Sequence, residues 1–334
     1  MGATSWGATL ALLLVRKGLR PCLLVRDEAE AAHLVSERRL RGRLPGLSLP
    51  PEVQITASPD CLEQAEIVIL CVPSQSMRRN LARILPHLSP RSVIVSAAKG
   101  LEMGSGLRMS QVIGEQLGAE LAPCVCALSG PNLAHEIVRG LPATSVVACS
   151  DLATAEFAQG ILMAPGFRVY THTDLVGVEL AGSLKNIVAL GAGMSDGLSY
   201  GFNAKAAFIT RGLAEITRLG LAAGANPLTF AGLAGLGDLL TTCYSPHSRN
   251  RYAGQELARG RALDEILSGL GQTVEGISTT IAARELAARL CVEMPITEHT
   301  YRVLFEGEPI AAAVEELMAR ERKQESLGLV TETA

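Results

Sequence analysis

Long runs of one charge are missing from this sequence. Its 30 basic and 33 acidic residues leave a formal net charge of −3, which argues against a nucleic-acid-binding surface while leaving room for a local cationic pocket. There is no Cys-x-x-Cys pair, and the six histidines never stand in His-x-x-His or His-x-x-x-His spacing, so no metal is expected. Eight cysteines in 334 residues do not make a small secreted disulfide scaffold, and they read as buried, reduced thiols of a cytoplasmic protein. One close pair, Cys124 and Cys126, puts two thiols on one face of an expected strand. No uninterrupted apolar run approaches the ~18–20 residues that span a bilayer, and no membrane insertion is expected. Residues 9–15 imitate a signal-peptide core, but no basic segment precedes them, no Ala-x-Ala site follows, and Arg16 and Lys17 come next. They read as the first turns of a core helix. Internal repeats and low-complexity segments are also absent.

What is present is apolar. Hydrophobic residues make up 48% of the chain and charged ones 19%, enough for a large core and incompatible with disorder. At ~100–200 residues per domain the length suggests two domains. Short β-rich runs at 22–25, 53–57, 67–72, 92–97, 124–128, 145–149 and 167–171 alternate with helical stretches such as 8–17, 75–85 and 107–117. Several runs are continuously apolar and β-branched, as in parallel strands buried on both faces. Residues 1–175 therefore read as a Rossmann-like, doubly wound α/β domain of dinucleotide-binding type. After residue 176 the β signal stops. Ala- and Leu-rich stretches at 177–193, 205–222, 228–242 and 277–290 make residues 176–322 an all-helical domain, followed by a short polar tail at 323–334.

The chain opens Met1-Gly2-Ala3-Thr4-Ser5-Trp6-Gly7 and enters a helix at once. A dinucleotide turn wants Gly-x-Gly-x-x-Gly: the first glycine for the turn, the second for approach to the pyrophosphate, the third for helix–strand packing. Gly2 and Gly7 fill the first and third places. Thr4 fills the second, where it partly closes the approach but offers a hydroxyl to a phosphate. The strand that should precede Gly2 is missing. In a 3-2-1-4-5-6 sheet that strand is central, so the expectation is a working start roughly six or seven residues upstream. Arg26 follows the next strand, nineteen residues after Gly7, where an arginine favours the 2′-phosphate of NADP and an acid the 2′-hydroxyl of NAD. Asp27 beside it softens that discrimination.

Three stretches carry more information: "SAAKGLE" at 96–102, "LSGPN" at 128–132 through Glu136, and the segment 179–250 with "LKNIVALGAGMSDGL", "NAKAAFITRGLAEITRLG", "FAGLAGLGDLLTTC" and "SRNR". Together they resemble the bacterial NAD(P)-dependent glycerol-3-phosphate dehydrogenases, and the likeness runs from Gly2 to about Leu317. The resemblance implies a dinucleotide-binding domain and a helical substrate domain, in a homodimer. It also implies NADP(H) or NAD(H) as cofactor, and reversible reduction of dihydroxyacetone phosphate to sn-glycerol 3-phosphate for phospholipid synthesis.

Ketone reduction needs a proton donor at the carbonyl oxygen and several donors around a dianionic phosphate. By resemblance Lys185 is the general acid/base, with its pKa lowered by burial and by neighbouring cations. Lys99 lies just past a strand end, the edge where α/β sheets bind ligands; the family pattern sets it against both substrate and nicotinamide. Gly130 offers a backbone N–H near the substrate, Asn132 stands in the same loop where a small hydroxyl residue is more usual, and Ala134 flanks the cofactor. Asp238 can hold a lysine ammonium, accept from a substrate hydroxyl, or cap a helix. Ser248, Arg249 and Asn250 suit a phosphate, with Arg249 also reaching the cofactor, or form a surface turn. Ser5, Trp6 and Arg26 in the opening segment, and Thr273 and Glu275 in "GQTVEG", complete the cofactor contacts. Tyr244 departs from the family's "TCTS"-like loop. The alternatives are a 3-hydroxyacid or ketopantoate-type dehydrogenase and a binding protein with an impaired cofactor site.

Overall fold

A computed structural model of the protein describes residues 2–40, 44, 47–118 and 125–321. Cys124 and the tail expected at 323–334 lie outside them. The chain forms two compact units, Met1–Ala98 with Met109–Leu175, and Lys99–Arg108 with Val176–Ala334. The sequence reading placed residues 99–108 with 1–175; the structure puts them with the helical unit.

In the α/β unit the strands are β1 (Cys22–Leu24), β2 (Gln54–Thr56), β3 (Ile67–Leu70), β4 (Val93–Ser96), β5 (Val125–Ser129), β6 (Ala143–Ala148) and β7 (Phe167–His172). The helices are α1 (Ser5–Arg16), α2 (Glu28–Glu37), α3 (Met77–Ile84), α4 (Met109–Leu117), α5 (Ala134–Val138) and α6 (Leu152–Leu162). Each strand lies on one of the β-rich runs. β1 and β2 pair in parallel, and β3–β4–β5–β6–β7 form a second sheet in that order. The β5–β6 pair runs antiparallel, with Ala127 opposite Ala148, unlike a wholly parallel expectation. α5 has five residues, about 7–8 Å at ~1.5 Å per residue, too short to carry the chain back along the sheet for a parallel crossover.

Among the described residues no strand precedes β1. Gly2 stands between β1 and the end of β3: its N–H donates to Leu24 O at 3.0 Å, and a Cβ on it would fall 2.4 Å from Cys71 O. β4 and β5 are buried along their whole length. Leu10 and Leu13 of α1 join Val95, Leu128, Val147 and Phe167 in one core cluster, while Ala8 and Ala11 on the same helix pack with Leu23 of β1 and with Val25 just past its end. A helix apolar on two sides suits a place among strands.

The helical unit contains α7 (Leu175–Gly197), α8 (Gly201–Ala222), α9 (Pro227–Ala231), α10 (Asp238–Tyr244), α11 (Arg249–Ala258), α12 (Leu263–Leu270), α13 (Glu275–Arg289), α14 (Pro295–Tyr301) and α15 (Ile310–Met318). α7 is long and apolar enough to cross a membrane, yet 89% of its most apolar window is buried. It is a core helix with four polar residues, Glu179, Ser183, Lys185 and Asn186, inside it. α7 and α11 meet backbone to backbone. A Cβ on Gly193 would fall 1.9 Å from Arg251 O, and one on Gly254 would fall 1.9 Å from Leu190 O. The Ala- and Leu-rich stretch at 228–242 is α9, a π-helical turn at Leu233–Gly237, and α10. That turn ends where α10 begins, at Asp238.

Candidate active site

The opening turn of the α/β unit has the geometry its glycines promise. Gly2 has φ +97°, open to glycine and strained for other residues. A Cβ on Gly7 would sit 2.1 Å from Gly2 O, so only glycine lets α1 start this close to the turn. Thr4 is the N-cap: its hydroxyl accepts from Gly7 N at 3.1 Å and donates to Cys71 O at 3.1 Å. Its single proton is spent there, so the phosphate donation expected of Thr4 is corrected. The N–H groups of Ser5 and Trp6 open a twelve-residue helix and have no partner among the described residues, leaving donors for an anion. The Trp6 ring packs edge-on against Phe167, with centroids 6.2 Å apart, so its backbone is what remains for a ligand.

At the end of β1, Arg83 donates from Nη1 to Val25 O and Arg26 O, each at 2.9 Å, and so fixes the turn that carries Arg26. Arg26 itself is 77% exposed along its side chain. Asp27 caps α2, accepting from Glu30 N at 2.8 Å through Oδ1 and from Arg26 Nε at 3.2 Å through Oδ2. These bonds, that from Glu30 N–H foremost, hold its carboxyl below the usual range.

The turn after β5 departs from expectation. Gly130 has φ +141°, and a Cβ there would meet Ser145 Cα at 3.0 Å and Thr144 O at 3.2 Å. Asn132 donates to Thr144 O at 2.9 Å and accepts from Ser145 Oγ at 3.0 Å. Its side chain braces this turn against β6. Ala134 begins α5.

The helical unit holds a cluster of ammonium, carboxylate and amide groups. Asp238 is 2% exposed. Its Oδ1 accepts from Lys185 Nζ at 2.5 Å and its Oδ2 from Lys99 Nζ at 2.7 Å. Lys185 also donates to Thr242 Oγ1 at 2.6 Å, while that hydroxyl donates to Asp238 O at 2.7 Å. Burial pulls the Lys185 pKa down from 10.5 to about 8; Lys99 pulls the same way, and Asp238 and Cys243 oppose them. Burial pushes the Cys243 thiol up to about 12, which leaves it protonated beside the lysine.

A second chain of bonds runs alongside. Asn186 Nδ2 donates to Lys99 O at 3.3 Å, Asn250 Nδ2 to Asn186 Oδ1 at 2.9 Å, and Gly276 N to Asn250 Oδ1 at 2.9 Å. Ser248 is the N-cap of α11, accepting from Arg251 N at 3.2 Å, and Arg249 and Asn250 are its first helical residues. Arg249 is exposed and donates from Nη1 to Thr273 O at 2.6 Å, and Glu275 opens α13 two residues on. The structure thus joins Lys99, Lys185, Asp238 and Asn250, with Ser248 and Arg249 at the same helix end. Thr242 and Asn186 were missed. Thr242 follows Asp238 by four residues, the spacing that puts two side chains on one helix face, and Asn186 adjoins Lys185.

Models of the NAD-dependent glycerol-3-phosphate dehydrogenase N-terminus and C-terminus match residues 1–155 and 174–315. The chain belongs to this family. The dehydrogenase is 48% identical over 330 residues to the glycerol-3-phosphate dehydrogenase (NAD(P)+) of Dehalococcoides mccartyi, covering 98% of this chain and 92% of that one. It is 49% identical over 324 residues to the enzyme of the same name from Desulfitobacterium hafniense, covering 97% and 91%. The crystal structure of glycerol-3-phosphate dehydrogenase from Coxiella burnetii superposes with a TM-score of 0.90 at 35% identity, covering 96% of this chain and 97% of that one. The family takes NAD(P)(H), and the opening turn fits such a group: a glycine cradle that a Cβ would fill, with helix N–H donors facing out of it.

Proposed function

We propose that the protein reduces dihydroxyacetone phosphate to sn-glycerol 3-phosphate, reversibly, in phospholipid synthesis, as a cytoplasmic homodimer. The observation that carries the reaction is one buried carboxylate, Asp238, shared by two ammonium groups, Lys99 and Lys185; burial pulls the pKa of the second down to about 8. NAD(P)H, when bound, would supply the hydride that goes to the carbonyl carbon. Negative charge then builds on the carbonyl oxygen, and Lys185 gives that oxygen its proton. Asp238 and Thr242 keep the Lys185 Nζ aimed, and the neutral amine left behind regains a proton from solvent. In the oxidative direction the same amine accepts the proton of the hydroxyl. Lys99 adds a second positive charge where the oxyanion forms.

The phosphate end falls to Ser248, Arg249 and Asn250. They supply a hydroxyl, an exposed guanidinium and the first N–H groups of α11, a set suited to a dianion. The Asn250–Asn186 bond keeps this end one residue away from Lys185. Gly130, Asn132 and Ala134 support the reading more weakly, since the Asn132 amide already serves its own turn. Ser5, Trp6 and Arg26 hold the cofactor, with Thr273 and Glu275 flanking Arg249. Arg26 favours NADP(H): it is exposed, while Asp27, the acid that would select a ribose hydroxyl, is engaged in capping α2.

The test follows NADPH oxidation with dihydroxyacetone phosphate, unphosphorylated dihydroxyacetone and ketopantoate. The expected result is a kcat/KM advantage for the phosphoester. Equal or better turnover of the carboxylate substrate overturns the assignment in favour of a ketopantoate-type reductase.

A further inference from the structure

The segment Lys99–Arg108 leaves the α/β unit and returns to it, yet belongs to the helical unit. It is a small hairpin. Leu101 and Arg108 form an antiparallel bridge, Glu102 N donates to Leu107 O at 2.9 Å, and Gly106 N to Glu102 O at 2.8 Å. Its tip is tied to α13, where Arg289 Nη1 donates to Ser105 O at 2.6 Å and Glu285 Oε2 accepts from Gly104 N at 3.2 Å. Its base is tied to α7 at two levels. Asn186 holds Lys99 O, and Glu179 accepts from Arg108 Nη1 at 2.5 Å. Glu179 and Asn186 are seven residues apart, about two turns and ~10 Å along one face of the helix. Both ends of the hairpin therefore lie along the same stripe of α7.

The Arg108–Glu179 pair is largely withdrawn from water, at 15% and 6% side-chain exposure. An ion pair in such a place costs desolvation, so its value lies in fixing geometry more than in stability. What it fixes is the base of the hairpin, two residues from Lys99. Asp238 sits on another helix, and the Lys99 ammonium that meets its Oδ2 is carried by that base.

We propose that Glu179, acting through Arg108, is a positioning residue that aims Lys99 at Asp238 and so at the reacting carbonyl. The proposal rests on the reading of Lys99 given above and adds a residue that itself touches neither substrate nor cofactor.

The experiment is a double-mutant cycle. Glu179→Gln is made in the wild-type and in Lys99→Ala, and NADPH-dependent reduction is measured across pH for all four proteins. Glu179→Gln alone should lower kcat/KM about tenfold, and in the Lys99→Ala background by less than about twofold, because its route of action is gone. The titratable groups facing Lys185 are Asp238 and the protonated thiol of Cys243 from α10, and Lys99 from the hairpin. Displacing Lys99 removes a depressing charge, so the limb near pH 8 should move upward in both single variants. The same fold-loss in both backgrounds, or an unmoved limb in Glu179→Gln, overturns the proposal. If Lys99→Ala itself leaves kcat/KM unchanged, the reading of Lys99 has failed and the proposal falls with it. Should Glu179→Gln not fold by its thermal melt, Arg108→Lys, which keeps the charge and loses the fork, enters the cycle in its place.

Discussion

Asn250, second residue of α11, donates from Nδ2 to Oδ1 of Asn186 across 2.9 Å. This bond connects the helix end that offers donors to a phosphate with the neighbour of the lysine that titrates near pH 8. It depends on the close crossing of α7 and α11 and on the amide orientation of both residues.

Replacing Asn250 by Ala removes that bond and the acceptor of the Gly276 N–H. An unpaired buried donor costs about 1–3 kcal/mol. The melting temperature should fall, and KM for dihydroxyacetone phosphate should rise by more than kcat drops, which steady-state kinetics will resolve. An unchanged KM would remove Asn250 from the phosphate site.

Lys185→Met should lower kcat at least ~10²-fold, the low end for loss of a general acid. In the wild type the rate of ketone reduction should fall as pH rises through about 8, because the proton donor is being lost. Alcohol oxidation should rise through the same pH, because the base is being formed. A profile flat from pH 7 to 9 in both directions would sink the role.

The same lysine makes stability depend on pH. Below about 8 it is charged in both folded and unfolded chains. Between about 8 and 10.5 only the unfolded chain keeps the proton. Stability from this group should therefore rise across that window, by on the order of 3 kcal/mol at ~1.4 kcal/mol per pH unit. Denaturant melts of wild type and Lys185→Met at pH 7.5 and 10 test it; the difference between the two proteins should change in favour of the wild type at the higher pH.

Arg26→Ser should reduce kcat/KM with NADPH ~10–100-fold, the worth of one or two charge-assisted hydrogen bonds, and leave NADH nearly untouched. A parallel loss with both cofactors would mean that Arg26 serves the turn and not the 2′-phosphate.

Gly254→Ala should destabilise the protein by ~1–3 kcal/mol or more, since its methyl meets the Leu190 carbonyl at 1.9 Å and backbone has to give way. Gly260→Ala, at a helix end with open space around it, is the comparison for a glycine lost without overpacking, although its φ of +86° adds strain of its own.

Much of this was readable in the residues. The β-branched runs marked the strands because burial on two faces leaves little room for polar side chains. The places of Gly2 and Gly7 were legible because close backbone approach admits only one residue type. Lys99, Lys185 and Asp238 stood out through the stretches around them, "SAAKGLE", "LKNIVALG" and "GLAGLGD", that resemble the family. The antiparallel β6 was not legible, since strand direction depends on the length of α5 and leaves no trace in the strand itself. The bracing bonds of Asn132 were not legible for a similar reason: an amide beside a glycine turn suits a ligand or its own backbone equally, and Thr144 and Ser145, which it meets, lie twelve and thirteen residues on. Thr4 carried a hydroxyl that the sequence left free and Cys71 O claims.

The hairpin at Lys99–Arg108 has a bearing on how this protein can be dissected. A fragment cut at residue 176 would retain Asp238, Lys185 and Glu179 but lose Lys99 and Arg108. The charge gathered on Asp238 would drop from +1 to zero, and Glu179 would lose its guanidinium. Truncation along the chain therefore severs groups that belong to a single folding module, and an excised helical half must carry those ten residues grafted back before its ligand affinity means anything.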